Sequence, residues 1–453
     1  MANRKTNRRE FLEAVGVVGA ASVFAGSGQA AGFFADDEAR LAIDGGKPIR
    51  ESTLGSGPYG PQFYDDGEER ELIEVLESRS PFRSRGPGSK VLQFEREYAE
   101  HIGVKHAVAV TSGTTALMTA MAALEVGPGD EVILPAWTWY ADYDAVVLAG
   151  ALPVFCEIDE SFNMDPADVE HRITPQTKAI VPSHLQGCPC DLDPILEIAR
   201  KHEIRVVEDC AQCAGGRYKG KYVGSIGDMG INSFQLSKTI TSGEGGAVTT
   251  NDPELFERAV RFHDVGVLRD HGEQVGGGLL AAFASTNFRM NEFTGAVLRA
   301  QLRKLEPICR ANRAHARKVR EGIADLPDIK LRKLPDPDGD IGEMVFLDMG
   351  TGERARTFLR ALRAEGISAS PPGGSVILPA DPRVENKVTI HPDWPSFRSA
   401  RGQAIRYGRE SCPRTVDILE RSAGVRMGPH YTNQDVQDVI RAIRKVYLAM
   451  GPA

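Results

Sequence analysis

Beyond its first ten residues the sequence carries no long basic run, and no internal repeat or low-complexity tract interrupts it. With a formal net charge of -8, that composition speaks against a nucleic-acid partner or an anionic-membrane surface. The apolar stretch from Ala14 to Ala25 is too short and too rich in glycine and alanine to span a bilayer. What is present is globular in make-up. At 453 residues, 42% hydrophobic and 26% charged, the chain buries a large core split between two unequal domains, which excludes a disordered or fibrous protein.

The N-terminus carries its own signal. Asn7-Arg8-Arg9-Glu10-Phe11-Leu12 precedes the small-residue apolar stretch, which closes at Gly28-Gln29-Ala30. Paired arginines ahead of a weak apolar run resemble a bacterial twin-arginine export signal. On that reading residues 1–30 are a signal segment, the membrane is met only in transit through the export machinery, and the destination is the periplasm or cell envelope. The alternative is a frayed, weakly amphipathic helix on a cytoplasmic protein.

The body opens at Leu41-Ala42-Ile43-Asp44-Gly45-Gly46-Lys47-Pro48, and the pattern predicts a helix over Asp66–Ser78 with apolar residues at Leu72, Ile73 and Leu76, then a loop at Gly86-Pro87-Gly88. Short β-rich runs follow at 107–110, 131–135, 153–158, 179–182, 205–208 and 247–250, separated by helical periods such as Ile195–His202. Near-continuous apolar strands alternating with helices predict an α/β fold with a mainly parallel sheet covered on both faces. Ligands of such sheets bind at the carboxyl ends of the strands. Beyond Leu298 a long helix to about Ile323, runs at 329–332 and 344–348, and a helix over Arg354–Glu365 predict a small C-terminal α/β domain. The expected division is 31–300 for the N-terminal arm and large domain and 301–453 for the linking helix and small domain. Thr432 or Asn433 caps the last helix.

Chemistry is therefore sought just after each strand. The run ending in Glu208-Asp209 is followed about thirty residues later by Ser233-Phe234-Gln235-Leu236-Ser237-Lys238 and Gly243-Glu244-Gly245-Gly246. A Schiff-base lysine needs a fixed position and a tuned pKa, and an acid ending a buried strand meets a pyridinium nitrogen and keeps it protonated. A lysine by itself is usually a solvated surface charge. After 107–110 comes Thr111-Ser112-Gly113-Thr114-Thr115, a turn into a helix whose N-terminus suits a phosphate and equally suits an ordinary cap. After Pro135 comes Trp137-Thr138-Trp139, where an indole stacks on a flat ring or simply packs in a core.

Taken jointly and in order, these motifs, together with Val207-Glu208-Asp209-Cys210-Ala211-Gln212 and Asn287-Phe288-Arg289-Met290-Asn291-Glu292, resemble the DegT/StrS-type pyridoxal-phosphate aminotransferases from about residue 41 onward. The resemblance implies fold-type I architecture, a large domain with a mainly parallel seven-stranded sheet between helices, plus a small C-terminal α/β domain. It implies pyridoxal 5'-phosphate as cofactor, Lys238 as the Schiff-base lysine and proton shuttle, and Asp209 at the ring nitrogen. Trp139 would stack on the ring, and Gln212 would contact the cofactor from the other side. Gly113, Thr114 and Ser233 would hold the phosphate, with Asn287 reaching it from the partner subunit of a homodimer. His184 matches a histidine near the family's pocket, without an assigned role. The implied reaction is ping-pong transfer from L-glutamate or L-glutamine to a keto sugar or keto-cyclitol. Relatives that dehydrate sugars carry histidine in place of the lysine, so Lys238 favours transamination, and residues 235–246 are closer to the branch that aminates keto-inositols. A non-catalytic, sensory or regulatory cofactor-binding protein is the alternative.

Two features depart from the family pattern. Cys188-Pro189-Cys190 and Cys210-Ala211-Gln212-Cys213 are open to a four-thiolate metal site or a disulfide. They are equally open to burial as small apolar residues, which the spacing of the first pair favours, so no metal is assigned. An insertion-like stretch from Asp381 to Ser411 either shapes the acceptor pocket or is a surface excursion.

Overall fold

A computed structural model describes residues 39–451 except 56, 58–59, 84–87, 279 and 374–375. The leader expected at residues 1–30 and most of the Gly86–Gly88 loop lie outside the described residues.

The large sheet is built from β1 (His106–Val110), β2 (Glu131–Pro135), β3 (Leu152–Cys156), β4 (Thr177–Ile180), β5 (Arg205–Asp209), β6 (Met229–Ser233) and β7 (Gly246–Thr250). Their order is β1-β7-β6-β5-β4-β2-β3, and β7 alone runs antiparallel to its neighbours. Successive residues face opposite sides, as the period of two requires. In β2, Val132 and Leu134 join one core cluster while Ile133 joins the cluster on the other face. β1 behaves alike, with Val108 and Val110 on one side and Ala107 and Ala109 on the other.

Helices α1 (Asp66–Ser78) and α2 (Lys90–Ile102) precede the sheet. Between and after its strands come α3 (Gly113–Ala123), α4 (Tyr140–Leu148), α5 (Pro166–Arg172), α6 (Leu192–Lys201) and α7 (Pro253–His263). One face of the sheet is covered by α3, α4 and α7, the other by α5 and α6 and by α2 with the start of α8 (Glu292–Ile323). At about 1.5 Å per residue α8 is roughly 48 Å long, enough to serve both domains. The small domain is an antiparallel sheet of β8 (Lys330–Leu331), β9 (Met344–Asp348), β10 (Ala369–Ser370) and β11 (Ser422–Arg426) in the order β8-β9-β11-β10. It packs on α9 (Gly352–Ala364), α11 (Asn433–Ala449) and the end of α8, while α10 (Pro413–Glu420) leads into β11. Thr432 caps α11 and forms a reciprocal capping box with Asp435.

Two details differ from the sequence reading, and a third falls on one side of an open alternative. The apolar residues of α1 are not its buried face: Glu68, Glu71 and Val75 are buried, while Ile73 and Leu76 are 42% and 62% exposed. Ion pairs dock the helix instead, Glu71 to Lys90 at 2.7 Å and to Arg299 at 2.9 Å, and Glu68 to Lys304 at 2.7 Å. β6 has no apolar run that would announce it, yet it is central and fully buried. The stretch 381–411 does not line the cavity beside Lys238. It folds over the open edge of the large sheet, where Tyr407 Oη donates to Pro153 O at 2.6 Å, Arg401 pairs with Glu131 at 3.0 Å, and Trp394 and Ser396 both donate to Val147 O. Covering an edge strand removes a template for unwanted pairing.

The N-terminal arm is tied to the small domain by one buried carboxylate. Glu365 accepts from the Ala42 amide at 2.8 Å, the Ile49 amide at 3.1 Å and Lys445 Nζ at 2.9 Å, with both charged groups buried. Removing one partner of a buried pair typically costs about 3–5 kcal/mol. Glu365→Ala should therefore lose about that much stability in urea denaturation. Glu353→Ala, on the exposed first turn of α9, should change it by less than about 0.5 kcal/mol.

Candidate active site

The carboxyl ends of β1, β5 and β6 meet in one row. Register pairs Val110 with Gly246, Gly246 with Ser233, and Asp209 with Ile231. Packing here is close enough to demand glycine: a Cβ on Gly246 would lie 2.2 Å from Ser112 O, and one on Gly113 would lie 2.7 Å from Ser233 Cβ. The start of α3 is thereby pressed against the end of β6. Ser112 caps α3 by accepting from Thr115, which leaves the Gly113 and Thr114 amides among the donors that a helix cannot satisfy internally. With the buried Ser233 hydroxyl beside them, they form a cradle suited to an anion.

Lys238 sits on the loop that connects β6 to β7. That loop is held by Phe234 N to Gly245 O at 2.8 Å, Leu236 N to Gly243 O at 3.0 Å and Lys238 N to Gln235 O at 2.9 Å. Burial pushes the lysine ammonium below its ordinary range, against the opposing pull of the Asp209 and Glu343 carboxylates, and Arg426 adds to the depression. Asp209 is itself buried at the end of β5, and burial raises its carboxyl. The Ala211 amide at 2.8 Å, Lys238, Asp142 and His184 offset that rise.

Asp142, on the first turn of α4, was not among the residues read from the sequence. It is fully buried, and its Oδ2 accepts from Thr138 Oγ1 and, at 2.9 Å, from the hydroxyl of Ser183, the residue whose backbone bridges to Asp209. The signal available was its place three residues after Trp139, but an acid on a helical first turn reads equally as a dipole partner.

Trp139 is 50% exposed and touches Tyr140 edge-on, so a ring face is open. Gln212 lies beside Lys238, where its Oε1 accepts from Gln186 Nε2 at 3.1 Å. Asn287 stands apart: it is exposed on the segment that bridges to Asp264, and its Oδ1 turns back to the Arg289 amide. Asp209, Gln212, Ser233, Gly113, Thr114, Trp139 and Lys238 thus stand at or just beyond the carboxyl ends of the strands; of them Gln212 and Lys238 line the cavity, and Asn287 does not. That cavity, about 200 Å³, lies between the domains, with Gln186, Gln212 and Lys238 on one wall and Glu343, Ser370 and Arg426 on the other. The small-domain wall carried no local sequence signal.

His184 is fully buried. Its Nδ1 accepts the Cys190 amide at 2.9 Å, so the proton is on Nε2, which donates to Glu208 at 3.2 Å. Glu208 also accepts from the amides of Gly224, Ile226 and Gly227. His184, Glu208 and Cys210 are close enough to hold a metal ion, but the first two have committed their lone pairs to this network. All seven thiols are buried, none is joined in a disulfide, and burial pushes the Cys188 thiol up to about 12.

A buried acid, a lysine that gives up its proton readily, an open indole face and an anion cradle fit pyridoxal phosphate. The model of the DegT/DnrJ/EryC1/StrS aminotransferase family matches residues 64–372. The chain is 39% identical over 425 residues to the L-glutamine:2-deoxy-scyllo-inosose aminotransferase of Micromonospora echinospora, covering 90% of this chain and 97% of that protein. It is 42% identical over 242 residues to a GDP-perosamine synthase of Caulobacter vibrioides, covering 53% of this chain and 63% of that protein. The crystal structure of 3-amino-5-hydroxybenzoic acid synthase superposes with a TM-score of 0.73 at 28% identity, covering 90% of this chain and 100% of that one. The chain belongs to the DegT/DnrJ/EryC1/StrS aminotransferase family and is a fold-type I aminotransferase whose cofactor is pyridoxal 5'-phosphate.

Proposed function

We propose that this aminotransferase moves an amino group from L-glutamate or L-glutamine to a keto-cyclitol or keto sugar in two half-reactions. The observation that carries the reading is the buried Asp209 at the end of β5 with Lys238 near enough to act on its charge, beside a cavity whose far wall is polar and charged. Pyridoxal phosphate, when bound, supplies the electron sink that makes the C–H bond next to the substrate nitrogen acidic. Asp209 would offer a negative charge to the ring nitrogen. The Gly113 and Thr114 amides and the Ser233 hydroxyl would hold the phosphate, the Trp139 indole would stack on the ring, and Gln212 would contact the cofactor from the other side or at its hydroxyl. Lys238 Nζ, which burial favours in its neutral form, would take the proton from the donor carbon and deliver it to the cofactor's reacting carbon in the first half-reaction, and would carry a proton the other way, onto the acceptor carbon, in the second. Arg426 offers a cation for the donor's carboxylate, displacing the 2.5 Å pairing that it now makes with Glu343.

The acceptor class is supported by the match to the Micromonospora enzyme, whose name specifies L-glutamine and 2-deoxy-scyllo-inosose, because that match runs nearly end to end. Gln186, Gln212 and Ser370 around the cavity suit a polyhydroxylated ring.

A visible spectrum tests the reading. Purified protein should show a cofactor band that L-glutamate or L-glutamine bleaches and that Lys238→Ala lacks. Arg426→Leu should need about tenfold more donor for half bleaching, the weight of one charge-assisted pair. A band that no donor moves would instead mark a cofactor-binding protein without turnover.

The homodimer belongs to the same proposal. Asn287 is exposed, and Ile73, Leu76, Phe82, Val265 and Val267 are apolar side chains left open to solvent. With Asn287 reaching the partner's phosphate cradle, Asn287→Ala and Lys238→Ala variants should each be inactive as pure dimers. Mixed dimers should regain activity at the site holding both native residues, and failure to complement would assign Asn287 to its own subunit.

We further propose that Arg8 and Arg9 direct export of the folded, loaded enzyme. Arg8→Lys with Arg9→Lys should retain it in the cytoplasm, read by fractionation; an unchanged distribution would remove the export reading.

A further inference from the structure

Two buried acids, Asp142 on α4 and Asp209 on β5, flank Ser183: its hydroxyl donates to Asp142 Oδ2 at 2.9 Å while its backbone pairs in parallel with Asp209, which puts the two carboxyl groups on the same side as neighbours. Thr138 and Ser183 both donate to Asp142 Oδ2, while Oδ1 meets no protein donor. Asp209 is differently placed. Its Oδ1 accepts the Ala211 amide at 2.8 Å, and its main chain is fixed by His184 N to Asp209 O at 2.9 Å and Asp209 N to Pro182 O at 3.0 Å.

The surroundings decide how charge is shared. The groups facing the pair are the Thr138 hydroxyl before α4, the Ser183 hydroxyl and His184 imidazole after β4, the Ala211 amide after β5, and the Lys238 amine on the loop after β6. The Ala211 amide and Lys238 act on Asp209, so the negative charge is favoured there. Asp142 has only two neutral hydroxyls. Two carboxylates in contact away from water repel each other, and such a pair keeps one proton.

We propose that Asp142 is a positioning residue that stays protonated at neutral pH and donates a hydrogen bond from Oδ1 to Asp209, holding that carboxylate ionised and aimed at the cofactor's ring nitrogen. The inference rests on the pyridoxal reading of the site only for its last clause. The proton itself is a property of this chain. Burial and the neighbouring Asp209 charge both push the Asp142 carboxyl well above its ordinary range, in keeping with a neutral acid. The bond to Asp209 neutralises no charge, so Asp209 keeps the full negative charge that a protonated ring nitrogen requires.

Infrared difference spectroscopy tests the proton directly. Holoenzyme at neutral pH, minus Asp142→Asn, should show the carbonyl stretch of a protonated carboxylic acid, and the band should shift in heavy water. No such band, or one that persists in the variant, would overturn the proposal. The positioning role is read separately, from cofactor dissociation and the pH titration of the visible band. Asp142→Leu, with no donor, should release cofactor about tenfold faster, the worth of one hydrogen bond to a charged group. Its visible band should also titrate at a different pH. Asp142→Asn, which keeps an N–H donor, should rescue most of both changes. Equal behaviour of the asparagine and leucine variants would reduce Asp142 to packing. If no visible band forms in any of the proteins, the pyridoxal reading fails by itself, and the infrared difference still decides the proton.

Discussion

Burying a carboxylate at the end of the central strand is the constraint around which the rest of the molecule is arranged. Asp209 gives up water at a cost of several kcal/mol unless donors replace it. Its surroundings come from separate elements: the Ala211 amide of its own turn donates to it, the His184 amide after β4 fixes its main chain, and the charge of Lys238 reaches it from the loop after β6. Each of those elements must be seated before the acid is stable. The neighbouring residue faces the opposite side of the strand, where Glu208 accepts from the Gly224, Ile226 and Gly227 amides and from His184. His184 therefore touches the environments of both acids, and β5 ends between two filled polar networks.

The second constraint is closeness. Gly113 against Ser233 and Gly246 against Ser112 bring a helix N-terminus to the end of β6 with no room for a side chain. The anion cradle follows from that contact, because the helix's unsatisfied amides and the serine hydroxyl then share one hollow. Gln186 adds a strained position, with φ at 52°, held by Arg332, which donates to the carbonyls of Leu185 and Gln186 at 2.8 and 3.2 Å. Backbone strain of that kind persists only where surrounding contacts over-determine it. Here it aims the Gln186 amide at both Gln212 and Gly373, so a small-domain loop is tied to a residue beside Lys238.

Much of this was legible from residues 107–250. The apolar runs marked most strands, and the acid, lysine and glycine-rich segments stood where parallel sheets bind ligands. β6 was missed because Met-Gly-Ile-Asn-Ser has no apolar period. Gly230 is there because a Cβ would lie 2.4 Å from Gly224 Cα, and the buried Asn232 hides the pattern further. The face of α1 was misleading for an opposite reason. Its docking uses carboxylates on α8 cations, and hydrophobic spacing says nothing about buried ion pairs. Asp142 was hidden by the commonness of acids on first helical turns.

The far wall of the cavity was illegible for a deeper reason. Glu343 precedes β9, Arg426 ends β11 and Ser370 ends β10, and none carries a motif. Their meeting with Lys238 depends on how the small domain is carried by α8 and secured by the stretch that crosses back over the sheet edge. Lys238, Asp209 and the Gly113 turn stand on local segments of the large domain, where spacing along the chain records them. The far wall is made of residues whose proximity is a result of domain packing. Two chains could therefore share every motif from Gly113 to Lys238 and differ in what the cavity admits, because substitutions at 343 or 370 would leave those motifs in place while changing the cavity's far wall.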